Sequence, residues 1–217
     1  MAAIVPDKRN GGCGVIFKDK LYVWGGQTVD KLELDLELEE GEEAWEDMEI
    51  IESLPRSHDP QHPFDVLDLS CMVWSRQPTS GEDNEIPSLG LGSSLVLDPE
   101  SECFLLFSGY NELNFDAEVY KVHPGEWKWE IIKLATEMKP TPRYLTGVIV
   151  HNNRLCVFGG VSSDIRPGQD KYATYVPKEE NGIALEYGWN NEYYELDLQT
   201  SEYFVCVCVC VCVCVCV

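Results

Sequence analysis

The amino-acid sequence predicts an all-β protein made of repeated sheet units, and three features carry that expectation. The first is a hairpin signal: Gly147-Val148-Ile149-Val150 and Arg154-Leu155-Cys156-Val157-Phe158 flank Asn152-Asn153, and the second run ends on Gly159-Gly160. Apolar runs of strand length, turn formers between them and glycines where the backbone must bend are what a β-hairpin needs. The second feature is recurrence. Residues 14–17 and 21–24 repeat the pattern around Lys18-Asp19-Lys20 and end on Gly25-Gly26, and residues 94–97 and 104–107 repeat it ahead of Gly109. The third is an apolar run and then an aromatic after each glycine mark: residues 64–68 with Trp74, 118–122 with Trp129, and 193–197 with Tyr203. Gly109 and Gly160 lie 51 positions apart, and Trp74 and Trp129 lie 55 apart. A lone hairpin is marginal in water. A period of about 50 residues carrying these marks in one order fits the four-stranded blades of a β-propeller.

Composition bounds the function. At 217 residues, with 44% hydrophobic and 11% aromatic residues, the chain has the makings of a globular core. No apolar run is long enough to span a membrane as a helix, and residues 1–7 lack the basic start and apolar stretch of a secretory signal. The expectation is an intracellular protein, cytoplasmic or nuclear, without a membrane partner. A net charge of -22 argues against a nucleic-acid partner, because phosphate binding needs Lys and Arg to release counterions. Residues 30–52 hold twelve acids against one base, Lys31, and so half of that charge. Cys13, Cys71, Cys103 and Cys156 are scattered without a C-x-x-C pair, which speaks against zinc, and Cys71, Cys103 and Cys156 lie in or beside apolar runs, where a free cysteine behaves as a small hydrophobe.

In order, the chain reads as a partial propeller over 1–204. It comprises a first blade at about 9–74 with an acidic insertion at 29–60, a second at 75–129, and a third at 130–204 with an insertion at 161–191. Arg9, Gly11 and Gly12 stand in the first blade where Arg143 and Gly147 stand in the third. Leu32, Leu34, Leu36 and Leu38 alternate with acids, a strand period, but a charge run of this kind is most simply a solvated loop on the propeller face. A docking surface for a basic partner is the sharper reading. His58 and His62 beside Asp59 fit a surface loop better than a metal site, since prolines flank them and no further ligand is near. Ser108-Gly109-Tyr110 takes the place of a full Gly pair and is expected to turn there. Residues 205–217 are pure Val-Cys alternation, which a repeated GT dinucleotide encodes in either frame. The expectation is a low-complexity artefact of a truncated or misassembled gene model. Physically it is an uncharged, β-forming, aggregation-prone segment.

The Gly pair, the aromatic strand and the Trp at this period are the pattern of kelch repeats. With the strands Met72-Val73-Trp74-Ser75 and Trp127-Lys128-Trp129-Glu130, and an insertion that closes on Gly188-Trp189-Asn190, the chain resembles the kelch domain-containing proteins. The resemblance is closest to the branch of substrate receptors of cullin-RING ubiquitin ligases. It implies a six-bladed ring of which this chain is the N-terminal half, incomplete at about three to four blades. It also implies a central pocket that holds a client's C-terminal tail, later-blade arginines that meet the tail carboxylate, and a C-terminal helical element that docks the ligase adaptor. Trp189 matches the aromatic of the insertion. The arginine-bearing blades and the adaptor segment have no counterpart in this sequence.

The function expected is therefore non-catalytic: protein or peptide clients, a cullin-RING adaptor in a longer protein, and no cofactor. Trp189 and Arg143 are the candidate peptide-binding residues, with Arg143 also suited to tying strands through its guanidinium. Gly25, Gly26, Gly109, Gly159 and Gly160 are expected to shape the blades, and Trp74, Trp129, Tyr120 and Tyr193 to pack between them. A plain interaction scaffold is one alternative. A metal-dependent propeller enzyme is another, disfavoured because His58, His62, His123 and His151 are not at ligand spacing with a partner.

Overall fold

The computed structural model describes residues 6, 9–26, 63–82, 85–87, 91–111, 114–137, 139–162, 176–180, 183–189 and 192–206. Every regular element among them is a strand. Blade 1 is an antiparallel meander of β1 (Cys13–Phe17), β2 (Lys20–Trp24), β3 (Phe64–Asp68) and β4 (Val73–Gln77). Blade 2 repeats it with β5 (Ser94–Asp98), β6 (Cys103–Asn111), β7 (Asn114–Val122) and β8 (Trp129–Ile131). After β9 (Arg143–Tyr144), blade 3 begins with β10 (Gly147–His151) and β11 (Arg154–Phe158). The short β12 (Val161–Ser162) and the hairpin of β13 (Val176–Glu180) and β14 (Ile183–Trp189) then intervene. β15 (Tyr193–Asp197) and β16 (Glu202–Cys206) complete blade 3, in the order β10-β11-β15-β16. The first Val-Cys pair, Val205-Cys206, is the end of β16; the rest of that tail and the acidic insertion lie outside the described residues.

The registers superimpose the blades position by position. Cys13, Ser94 and Gly147 face Trp24, Phe107 and Phe158 across the first strand pair, and Leu67, Val122 and Leu196 face Trp74, Trp129 and Tyr203 across the last. Side chains alternate along a strand, so each blade has a leading face toward the blade before it and a trailing face toward the blade after. Blade 2 is apolar on both, which is why residues 103–107 form an unbroken buried run. Its Leu95, Phe104, Leu106, Tyr120, Val122 and Trp129 pack on Tyr22, Trp24, Phe64 and Val66 of blade 1. Aromatic rings carry this interface, Trp24 lying 4.9 Å from Trp129 and Phe64 5.7 Å from it. On the other side, Leu105, Phe107 and Val119 pack on Leu155, Val157, Tyr194, Leu196 and Tyr203 of blade 3.

Two sets of backbone hydrogen bonds lace the arc. Near the first strands, the Gly92 N–H donates to the Gly11 carbonyl and the Leu145 N–H to the Gly92 carbonyl, both at 2.9 Å. Gly11, Gly92 and Leu145 hold the same place before β1, β5 and β10, and all three have left-handed φ of +66°, +69° and +56°. At the outer edge, Ser80 exchanges bonds of 2.8 Å with Trp127 and Trp129, and the Ala135 N–H reaches the Ser201 carbonyl at 2.9 Å. Each inter-blade connection is thus pinned to the outer turn of the blade it leads into.

One turn expected from the sequence is absent. At Ser108-Gly109-Tyr110 the strand does not end. β6 continues past a bulge between Phe107 and Gly109, pairing Gly109 with Asp116 and Asn111 with Asn114. Gly109 adopts φ +138°, and a bulge absorbs the extra residue without ending the ladder. The β6–β7 ladder therefore runs longer than its counterparts β2–β3 and β11–β15.

Candidate functional site

In all three blades the connection between the second and third strands is the elaborated one. In blade 1 it begins at Gly25-Gly26 and returns at Pro63, in blade 2 it is the raised β6–β7 tip, and in blade 3 it is the excursion from Gly159 to Glu192. The blades share one topology and pack side by side, so these connections leave from the same face. Loops held on a rigid scaffold are where binding residues concentrate.

The described part of the blade 3 excursion is not an irregular loop. β13, β14, β12 and β9 form a four-stranded sheet of their own, and β9 also lies alongside β6 and β7 of blade 2. Trp189, Val161 and Tyr144 occupy one row across β14, β12 and β9, and Gly188, Ser162 and Arg143 occupy the next. Val161 and Ser162 are buried, which seats the sheet on the blade.

Arg143 clamps the base of this sheet. Its side chain is fully buried. Nε donates to the Thr141 carbonyl at 2.8 Å, Nη1 to the Gly159 carbonyl at 3.1 Å, and Nη2 to Thr141 Oγ1 at 2.6 Å and Glu192 Oε2 at 2.9 Å. The Tyr194 hydroxyl donates to the same Glu192 oxygen at 2.7 Å, and the guanidinium lies over the Tyr194 ring at 5.1 Å. The Gly159 N–H closes the loop on the Glu192 carbonyl at 3.0 Å. Gly159 and Glu192, the two feet of the excursion, are thereby fixed to each other and to β9. A planar fork with five donors suits this role; a lysine has no such fork. Gly160 beside it has φ +95°, and a Cβ there would meet the Tyr144 carbonyl oxygen at 2.8 Å. Only glycine fits that crossing.

Blade 1 carries the same clamp in a looser form. Arg9 Nη1 donates to the Gly25 carbonyl at 3.1 Å, Nη2 pairs with Asp65, and Arg76 Nε reaches the other Asp65 oxygen at 3.2 Å. The recurrence of Arg9 and Arg143 ahead of matching strands was visible in the sequence. Their carboxylate partners Asp65 and Glu192 were not, because they occupy different positions in the two blades.

The residues singled out from sequence divide by place. Gly25, Gly26, Gly159 and Gly160 all adopt positive φ where β2 and β11 end. Trp129 and Tyr120 are buried in the interface between blades 1 and 2, whereas Trp74 and Tyr193 are half-buried on the outward faces of blades 1 and 3. The Tyr193 hydroxyl donates to Glu195 Oε1 at 2.8 Å. This bond and the Arg154 pair hold the Glu195 carboxyl below its ordinary range. Burial pushes the Cys13 thiol up to about 12, so it behaves as a hydrophobe. The wholly buried Trp24, Phe64, Phe104, Phe107 and Tyr194, not singled out from sequence, are the rest of the packing. Their signal was the strand alternation itself.

No family model matches the chain. It is 24% identical over 207 residues to "Kelch domain-containing protein 1" of Mus musculus, and 24% identical over 208 residues to the Homo sapiens protein of that name. Each alignment takes in 92% of this chain and 43% of the relative. The recurring glycine marks, the four-stranded blades and this similarity agree. The chain is built of kelch repeats. Its three kelch blades form an open arc, and the chain spans less than half the length of the curated relatives it matches. Among the described residues no group of three or more His, Cys, Asp or Glu is close enough to hold a metal ion, and no helix is long and apolar enough to cross a membrane.

Proposed function

We propose that this chain is a protein-binding kelch propeller whose elaborated face captures an extended peptide, with Trp189 as a principal contact and Arg143 as the residue that positions it. The observation that carries this reading is the clamped sheet of blade 3. An insertion with no task has no need of a buried guanidinium, four hydrogen bonds and a two-point closure at its base. Trp189 stands at the end of β14 beside Gly188, within a row of a sheet held to the blade through Arg143. An indole contributes contact area at low entropic cost, as binding hot spots require. In its finer form, the client is presented by its C-terminal peptide, and the propeller serves as the substrate-recognition part of a cullin-RING ligase. The resemblance of the 188–190 segment supports that form.

Trp189→Ala tests the site. Screened against a library of C-terminal peptides, it is expected to lose about 2 kcal/mol or more of binding to any peptide the parent chain captures, with the melting temperature nearly unchanged. A collapsed melt with normal peptide capture by the folded fraction would leave Trp189 as a lid only. Coupling to a ligase is a separate measurement: co-purification with a cullin adaptor supports it, and peptide capture without adaptor binding favours a plain scaffold.

A further inference from the structure

We propose that the cleft between the outer turns of blades 1 and 2 is a second binding site, which takes an acidic peptide carrying one large apolar side chain. The cleft holds about 420 Å³ and has Phe17, Tyr22, Val66 and Trp127 in its walls. It opens between the β1–β2 turn of blade 1 and the β7–β8 turn of blade 2. Those turns lie at the opposite end of the strands from the β2–β3 and β6–β7 connections, so the site is separate from the face that carries Trp189. The junction of blades 2 and 3 supplies the control. There the registers put Asp98, Leu105, Lys121 and Ser201 at the places of Phe17, Tyr22, Val66 and Trp127, and all four line a cleft of about 740 Å³. The second cleft mixes Lys121, Lys128 and Lys133 with five acids, Glu82, Glu85, Asp98, Glu100 and Glu130. The first is lined by Lys18, Lys20 and Arg76 and by no acid, in a chain of net charge -22. Blades pack on each other at both junctions, so packing alone does not call for aromatic walls and a cationic rim.

Trp127 is the anchor. Its backbone has φ +55°, a left-handed conformation that a bulky residue rarely takes. Met72 and Ser201 hold the same place in their blades with φ +56° and +57°, so the turn demands the backbone and not the indole. The Trp127 N–H donates to the His123 carbonyl at 2.9 Å, and its carbonyl accepts from the Ser80 N–H at 2.8 Å. Its ring lies 5.5 Å from that of Tyr22 and is only half-buried, which leaves part of the indole to a ligand. Phe17, also half-buried, stands edge-on to Phe104 at 5.7 Å. Rings fixed in advance offer contact area at little entropic cost. Charge selects the partner. The Lys18 ammonium lies 4.5 Å from the Phe17 ring centre and pairs with Glu102 at 2.7 Å, an exposed contact that a peptide carboxylate can replace. Lys20 is exposed and has no ion pair among the described residues. Arg76, shared with Asp65, adds positive potential. Carboxylates flanking an aromatic or leucine side chain thus meet cations while that side chain rests on the aromatic walls.

Fluorescence anisotropy with labelled synthetic peptides and the full chain tests the site. The probe is a run of glutamates with one central phenylalanine, and its controls replace the phenylalanine by alanine or the glutamates by lysines. The parent chain is expected to capture the probe and to bind both controls about tenfold more weakly or worse. Lys20→Glu, at an exposed position, is expected to weaken capture about tenfold with circular dichroism unchanged. Trp127→Ser, which installs the residue blade 3 has there, is expected to lose capture as well; because Trp127 also covers Tyr22 and Phe64, Lys20→Glu decides the matter if that variant does not fold. Lys133→Glu in the second cleft and Trp189→Ala on the other face are expected to leave capture unchanged. Failure to capture the probe overturns the proposal, as does equal capture of the alanine control, the mark of charge attraction alone. Capture untouched by Lys20→Glu, or lost in Trp189→Ala, also overturns it by placing the peptide elsewhere. Capture seen only after residues 30–52 are excised would make that acidic segment of the chain the occupant, against a separate partner.

Discussion

Trp74 and Trp129 hold the same place in successive blades, each opposite an apolar residue of the third strand, Leu67 and Val122. Trp129 is wholly buried among Trp24, Phe64 and Tyr22, whereas Trp74 is only partly buried. Among the described residues, blade 2 has a neighbour on each side and blade 1 has one on its trailing side. The difference shows that a blade's own four strands decide which side chains share a face, and that the next blade decides whether the face is dry. A propeller core belongs to the interfaces between blades and not to any single sheet.

Substitution at the two tryptophans is the strongest way to break this comparison. Trp129→Ala is expected to cost about 3–5 kcal/mol in urea unfolding, the range for a large buried aromatic. Trp74→Ala is expected to cost about 1 kcal/mol, the range of an ordinary substitution. Equal losses would mean that the face of blade 1 is covered by something else.

The two arginine clamps sharpen the comparison one step further. Arg143→Ala leaves the Glu192 carboxylate, itself only slightly exposed, without its cation, and is expected to cost about 3 kcal/mol. Arg143→Lys restores the charge but not the fork, so it is expected to recover only part of the loss. Arg9→Ala is expected to cost about 1 kcal/mol, because Arg76 still pairs with Asp65. Thermal melts of the three variants check the order.

The smallest effect belongs to the outer turns. Asp68 Oδ1 accepts from the Ser70 hydroxyl and from the Ser70 and Cys71 N–H groups, which lowers its pKa from 3.8 to about 2. A depressed carboxylate contributes stability that is fully present above 3.8 and is lost as the pH falls through about 2. The stability gap between the parent chain and Asp68→Asn is therefore expected to be constant above that window and to shrink within it. A gap that widens on acidification would contradict the assignment. Asp197 makes the same turn in blade 3 with the Gln199 and Thr200 N–H groups, and Asp197→Asn is expected to behave alike.

Much of this fold was legible in the chain. The β-branched runs, the turn formers at Lys18-Asp19 and Asn152-Asn153 and the Gly pairs are local signals, and local chemistry is enough to make hairpins. What periodicity could not see is what depends on a neighbour. Trp74 and Trp129 look alike in sequence and differ only in what lies against them. The turn expected at Gly109 fails because a bulge lets the ladder run on, and bulges are set by the partner strand as much as by the glycine. In the site, the recurrence of Arg9 and Arg143 was visible, while the sheet of β12, β13 and β14 was hidden inside an insertion rich in Gly and Pro. Glu192, the carboxylate that closes its base, comes just after that insertion with no pattern of its own.

Amide hydrogen exchange tests most directly that burial in this protein resides at the interfaces between blades. β6 and β7 of blade 2, covered on both faces, are expected to exchange most slowly. β1 to β4 and β10, β11, β15 and β16, each in a blade covered on one face, are expected to exchange faster. Uniform protection across the three blades would contradict the account.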